Sequence, residues 1–222
     1  MKSPDFRVWL RLAMETELDL AMKARGFSRP AKSMNYRRNV IEGTQGLEMY
    51  FDFRPPYEPT ALAHLTPTVS FFFPAINRLL AEMSDGDAWL TRIVVHQTLT
   101  FRLSLDHIAP KGACEQWYVY DEQSGTNVVR SIRTFVEEWA LPLVADYQTL
   151  TDITRRYEMK DDRLRHLGRE SNFAIVAAYL LLEMPHEAMQ VLETHFGKLG
   201  PRRWYARIFE FVADRIDKTR PT

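Results

Sequence analysis

Leu47-Glu-Met-Tyr-Phe-Asp-Phe-Arg54 is the stretch on which the fold turns. Leu47, Met49, Phe51 and Phe53 fall on alternate positions, with Glu48, Tyr50, Asp52 and Arg54 between them. Successive side chains of a strand point to opposite faces, so this run predicts a β-strand with one apolar and one polar face. Gly43-Thr-Gln-Gly46 predicts a turn just upstream, and Met34 to Ile41 predicts the strand before it, which makes a hairpin.

The same two-residue period extends outward. Pro67 to Phe73 reads as a strand, and Glu115 to Tyr120 as the last one. Ile93 to Leu105 reads as a long strand, with Ile93, Val95, Leu99, Phe101, Leu103 and Leu105 on one face. His96, Thr98, Thr100, Arg102 and Ser104 occupy the other. Between these strands, Pro74 opens a short helix to Met83, and Ser84 to Asp87 forms a loop. Ser3-Pro4 starts an amphipathic helix that Gly26 ends.

From Thr126 onward the period is helical. A helix capped at Thr126 or Asn127 runs to Val144 and is kinked or divided by Pro142. Helices are then expected over Thr149–Tyr157, Asn172–Glu183, His186–Phe196 and Arg202–Lys218, with the charged Lys160–Glu170 as connector. The expected fold class is α+β: a mostly antiparallel sheet flanked by helices, with an all-helical C-terminal layer. The expected division is an α+β domain over residues 1–158 and a helical extension over 159–222 packed on it as one structural unit.

Composition narrows the function classes. Among 222 residues, 45% hydrophobic and 12% aromatic supply a core and argue against disorder. Lys+Arg and Asp+Glu balance at 29 each, which argues against a non-specific nucleic-acid binder needing a basic stripe. Arg37-Arg38 and Arg202-Arg203-Trp204-Tyr205 do not change that: neighbouring strand arginines face opposite sides, and the second group begins a helix. The single Cys114 excludes an intramolecular disulfide and a cysteine zinc site. Asp5, Arg7, Arg11 and Glu15 interrupt any signal-peptide core, and no window reaches the roughly 20 apolar residues of a membrane span. A cytoplasmic location without membrane contact is the expectation.

No catalytic or cofactor motif can be drawn. The glycines are dispersed, and His186 and His195 miss the i, i+4 spacing of helical metal ligands, so neither cofactor nor metal is expected. Asp106-His107 point apart on a strand end. What remains is the polar sheet face: Glu48, Tyr50, Asp52, Arg54, His96, Arg102, Tyr118 and, next to them, Tyr120. Tyrosine and arginine combine contact area with directed hydrogen bonds, which suits a protein interface. Two alternatives stay open: a small hydrolase or transferase using His96 with a nearby carboxylate such as Asp52, and a ligand-binding regulatory domain.

A helix closing in Lys23-Ala-Arg-Gly-Phe27 is followed by Tyr36-Arg37-Arg38, then Tyr50-Phe-Asp-Phe-Arg54, then Glu138-Trp-Ala-Leu-Pro142 after the sheet. Over roughly Val8 to Tyr157 this order resembles a group of bacterial α+β domains, some similar to immunity proteins of polymorphic-toxin and contact-dependent inhibition systems. The resemblance implies an antitoxin that binds a cognate toxin domain and blocks it without catalysis of its own. It carries over no functional residue.

Overall fold

The hairpin forms in the register that the alternation requires. The computed structural model describes residues 3–94, 100–109, 116–161, 163 and 167–219. Helices α1 (Ser3–Glu17) and α2 (Asp19–Ala24) precede strands β1 (Asn35–Asn39), β2 (Thr44–Phe53) and β3 (Ala63–Phe72). Helices α3 (Pro74–Ser84) and α4 (Ala88–Val94) follow, then β4 (Phe101–Ser104) and β5 (Trp117–Val119). The rest is helical: α5 (Glu122–Phe135), α6 (Leu141–Ala145), α7 (Leu150–Glu158), α8 (Asn172–Leu181), α9 (Pro185–Phe196), α10 (Leu199–Trp204) and α11 (Ala206–Thr219). The class is α+β, with an antiparallel sheet in the order β1-β2-β3-β4 and β5 paired to β3.

Two compact units share the chain. The first comprises the chain up to Val40 with Thr44–Ser70 and Arg102–Asp146; the second comprises Ile41–Gly43, Phe71–Phe101 and the chain from Tyr147. The division therefore falls at residues 146/147 rather than after residue 158, and the second unit also takes α3 and α4. The reason is packing: α7 lies against α8, so its apolar face belongs to the C-terminal helices.

In the first unit, α1 buries Phe6, Leu10 and Met14, one per turn. The Phe6 ring lies 5.1 Å from Phe51 and 5.9 Å from Phe53, so the apolar side of β2 faces α1. Leu47 and Met49 are buried, as is Leu103 of β4; Phe101, buried too, belongs to the second unit, and Leu99 lies outside the described residues. The first helix breaks at Leu18 before α2 resumes, and Gly26, at φ +79°, ends it. Tyr36 pairs opposite Leu47, and Arg37 opposite Gly46. The turn lies before Thr44, so Gly46 is a strand residue: a Cβ there would strike the Ser70 hydroxyl. Strand β3 begins ahead of Pro67 because Ala63–Leu65 have a partner of their own in β5.

Helix α5 starts earlier than its expected cap. Asp121 accepts from the Ser124 backbone N–H at 2.7 Å, and the Ser124 hydroxyl accepts from the Asp121 N–H at 2.9 Å, a reciprocal cap. Gly125 then sits in the first turn, where the Trp9 ring leaves no room for a Cβ. Near Pro142 the helix passes through a wider π-turn, Val136–Ala140, before α6, which is how the chain accommodates a residue with no N–H.

In the second unit, the long strand expected from Ile93 is replaced at its start by α4. The Asp87 carboxylate accepts from the Leu90 N–H at 2.9 Å, and Leu90 and Val94 are buried one turn apart. The cap and this helical pair override the alternation up to Val94; among the described residues of the expected strand, strand geometry is found at Phe101–Ser104, and residues 95–99 lie outside them. Helix α8 is buried from Phe173 to Leu180, with α3, α7 and α9 packed around it. Phe173 and Phe196 stack at 4.2 Å, with Tyr205 edge-on at 4.8 and 5.1 Å. Among the described residues no helix is long and apolar enough to cross a membrane.

Candidate functional site

Alternation along β2 places Glu48, Tyr50 and Asp52 on the side of the sheet opposite Phe6, the outer face of the first unit. Glu48 is only 5% exposed. It accepts from the Tyr50 hydroxyl at 2.5 Å, from Arg102 Nη2 at 3.2 Å and from the Ser70 hydroxyl at 3.2 Å. Arg102 Nη2 also donates to the Tyr50 Oη at 2.9 Å, and its guanidinium lies 5.1 Å over the Tyr50 ring. Burial and then the hydrogen bond to Glu48 push the Tyr50 phenol above its ordinary pKa. Tyr50 is 43% exposed, as is the Arg102 side chain. Glu48 was expected at the surface as a contact residue; instead it is the buried post that holds Tyr50 and Arg102 in place.

A second group adjoins it. The Tyr57 hydroxyl lies 3.2 Å from Asp52 Oδ2 and 2.9 Å from His64 Nδ1. The His64 ring stacks on Tyr118 at 4.7 Å, and Tyr118 lies 6.5 Å from Tyr120. Tyr50, Tyr57 and Tyr120 are all exposed aromatics. The structure thus brings together Glu48, Tyr50, Asp52, Arg102 and Tyr118 of the expected set. Arg54 does not join them: its backbone is left-handed at φ +54°, which ends the alternation, and its guanidinium turns onto the Phe53 ring at 5.5 Å. His96 lies outside the described residues, as does Cys114. Tyr57 and His64 were missed because Tyr57 follows two prolines in a loop and His64 precedes Pro67, where no strand was expected.

A concave site occurs in the second unit. A cavity of about 900 Å3 opens among α7, α8 and α9, lined by Tyr157, Glu158, Arg169, Tyr179, Glu187 and His195, among others. The Tyr157 hydroxyl is 2.8 Å from His195 Nε2, and the Tyr179 hydroxyl donates to Glu158 at 2.9 Å. Burial, and then the charge of Arg169, push the His195 imidazole below its ordinary pKa, so it stays neutral at pH 7. Burial and then Glu158 raise the Tyr179 phenol. Spacing within one helix set His195 aside as a metal ligand and could not show its neighbours on α7. Asp161, within the charged connector, is ion-paired to Arg163 at 2.6 Å and accepts from the Tyr147 hydroxyl at 3.2 Å.

Among the described residues no group of three or more His, Cys, Asp or Glu is placed to hold a metal ion. Compared with protein-family models, curated proteins and solved structures, the chain matches none.

Proposed function

We propose that the chain is a partner-binding protein of the toxin-neutralising kind, which docks a cognate toxin domain on the outer face of its sheet. The observation that carries the reading is the ordered aromatic and charged surface there. Tyr50 and Arg102 are held by a buried carboxylate, and Tyr57, His64, Tyr118 and Tyr120 form a row of ring contacts beside them. Side chains fixed before binding lose little conformational freedom on binding, which favours affinity. Tyrosine and arginine are also the residues that dominate interface energetics. The Asp52–Tyr57–His64 chain has acid–base groups, but Tyr57 is exposed, whereas proton-transfer chemistry gains from an enclosed site.

The test begins with the genome: a neighbouring gene should encode a large secreted protein with a variable C-terminal domain. That domain should co-purify with this chain, and co-expression should restore growth. Asp52→Lys and Tyr120→Ala should weaken both effects while leaving the thermal midpoint in place. A complex and rescue indifferent to both substitutions would move the interface off this face; no rescue by the wild-type chain would remove the reading.

A further inference from the structure

The cavity of the second unit has acidic groups at one end, an arginine at the other, and Ile175 and Val191 between them beside Gln190 and Thr194. At one end, Glu158 in the last turn of α7 and Glu187 in the first turn of α9 both bear electrostatically on the Tyr179 phenol. Tyr179 donates to Glu158; Glu187 is half-buried and has no hydrogen-bond partner among the described residues. At the other end, Arg169 leads into α8 through the 3-10 turn Arg169–Ser171. Its guanidinium lies 4.8 Å over the Phe196 ring and donates Nε–H to the His195 carbonyl oxygen at 2.8 Å. Hydrogen bonding to a neutral carbonyl fixes its position without cancelling its charge. Between the ends, Ile175 and Val191 form a buried apolar floor.

Among the described residues the lining holds three further groups that can carry charge. Asp161 is neutralised by Arg163. Lys160 is exposed, as Glu158 and Arg169 are, so water screens all three, and Glu187 is the half-buried charge of the lining. His195, kept neutral, adds no cation. The two ends are separated along α8 by the seven helical steps from Asn172 to Tyr179, about 10 Å at about 1.5 Å per step. An extended chain of three residues spans about 10 Å.

We propose that this cavity binds a short zwitterionic peptide. Its ammonium group lies toward Glu158 and Glu187, its carboxylate toward Arg169, and an apolar central side chain over Ile175 and Val191. A single amino acid carries its two charges too close together to reach both ends. The volume of about 900 Å3 is within the range of small-ligand sites and takes a tripeptide.

The experiment is calorimetric titration of the full chain with the tripeptide Ala-Leu-Ala. Its N-acetylated form, its C-amidated form and free alanine serve as comparisons. Saturable binding of the free tripeptide is expected, weakened about tenfold or more by blocking either end, since each removes one charge-assisted contact. Glu187→Gln should weaken binding to a similar degree, whereas Glu193→Gln, on a residue paired with Arg202 outside the cavity, should not. Circular dichroism establishes that Glu187→Gln is folded, and Arg169→Lys, which keeps the charge, provides a second variant with only partial loss. No heat with the free tripeptide overturns the proposal. So does binding that ignores both end-blocking and Glu187→Gln, or free alanine binding as tightly as the tripeptide.

Discussion

The two faces of the sheet carry the same three chemical groups, a tyrosine, a carboxylate and an arginine, and they differ in burial and in how closely the arginine is paired. On the inner side, Tyr36 donates to Asp19 at 2.6 Å, Arg29 pairs with Asp19 at 2.7 Å, and the Arg29 guanidinium lies 5.6 Å over the Tyr36 ring. On the outer side, Tyr50 donates to Glu48 and the Arg102 guanidinium lies over the Tyr50 ring, but Arg102 meets Glu48 by a single contact at 3.2 Å. Tyr36 is 1% exposed and the Arg29 side chain 4%, against 43% for Tyr50 and Arg102 alike. In the inner trio the tyrosine and arginine are sealed and the carboxylate meets some water; in the outer trio it is the reverse. A sealed arginine that loses its carboxylate is stranded, whereas an exposed one turns to water. The inner trio is therefore a clamp between α2 and β1, and the outer trio a presented surface.

That difference is open to direct attack. Asp19→Ala should cost about 3 kcal/mol in urea denaturation, the low end of the range for stripping one partner from a buried pair, because Asp19 itself is partly hydrated. Glu48→Gln on the other face should cost about 1 kcal/mol, since Arg102 keeps its access to water. Equal losses would mean that both trios are structural. Tyr36→Phe comes next, at about 1.5 kcal/mol for one charge-assisted hydrogen bond lost in the core.

Acid probes the inner trio directly. Burial alone would raise the Asp19 carboxyl, but the hydrogen bonds from Arg29 and Tyr36 outweigh it and hold its pKa below the ordinary 3.8. A carboxyl depressed in the folded state gives its full stabilisation above the unfolded value and loses it as pH falls through the folded value. Wild-type stability should thus fall toward that of Asp19→Asn as pH drops below 3.8, having exceeded it at neutral pH. Urea midpoints of the two proteins measured across the acid range would check this. Parallel curves would show that Asp19 is not the group being titrated.

How much of this could be read from the chain follows from where the physics is local. The period of Leu47 to Arg54 sufficed to place Phe51 and Phe53 toward the core and Tyr50 and Asp52 outward, because strand alternation is a property of the backbone. The burial of Glu48 could not be read, since it depends on Ser70 and Arg102, strands away in sequence. The helix α4 was hidden because its seven residues carry only two buried positions, too few to outvote the alternation that follows. The Asp121–Ser124 cap, by contrast, was written in adjacent residues and was misread: Ser124-Gly125 has the composition of a turn. The cavity in the second unit is built by three helices, so no single helical period could announce His195 or Glu187 as neighbours of Tyr157 and Tyr179.

The smallest expected effect on stability is the most telling for function. Arg102→Gln removes one ionic contact to Glu48 and one hydrogen bond to Tyr50, but both partners remain bonded to each other through the Tyr50 hydroxyl. The guanidinium stands in water, but its loss leaves the buried Glu48 carboxylate with only the Tyr50 and Ser70 hydroxyls, so the unfolding free energy should fall by about 0.5–1 kcal/mol. The stacked cation over the Tyr50 ring disappears with it, leaving the tyrosine free to change rotamer. If the outer face is where a partner docks, the same substitution should weaken that complex by about 2 kcal/mol, the cost of losing an anchor and loosening its neighbour. Thermal unfolding and partner titration on one preparation would give both numbers. A stable Arg102→Gln protein that binds fully would show the outer trio to be idle surface. A variant destabilised as severely as Asp19→Ala would show that Arg102 is a second clamp, with the contrast between the two faces lost.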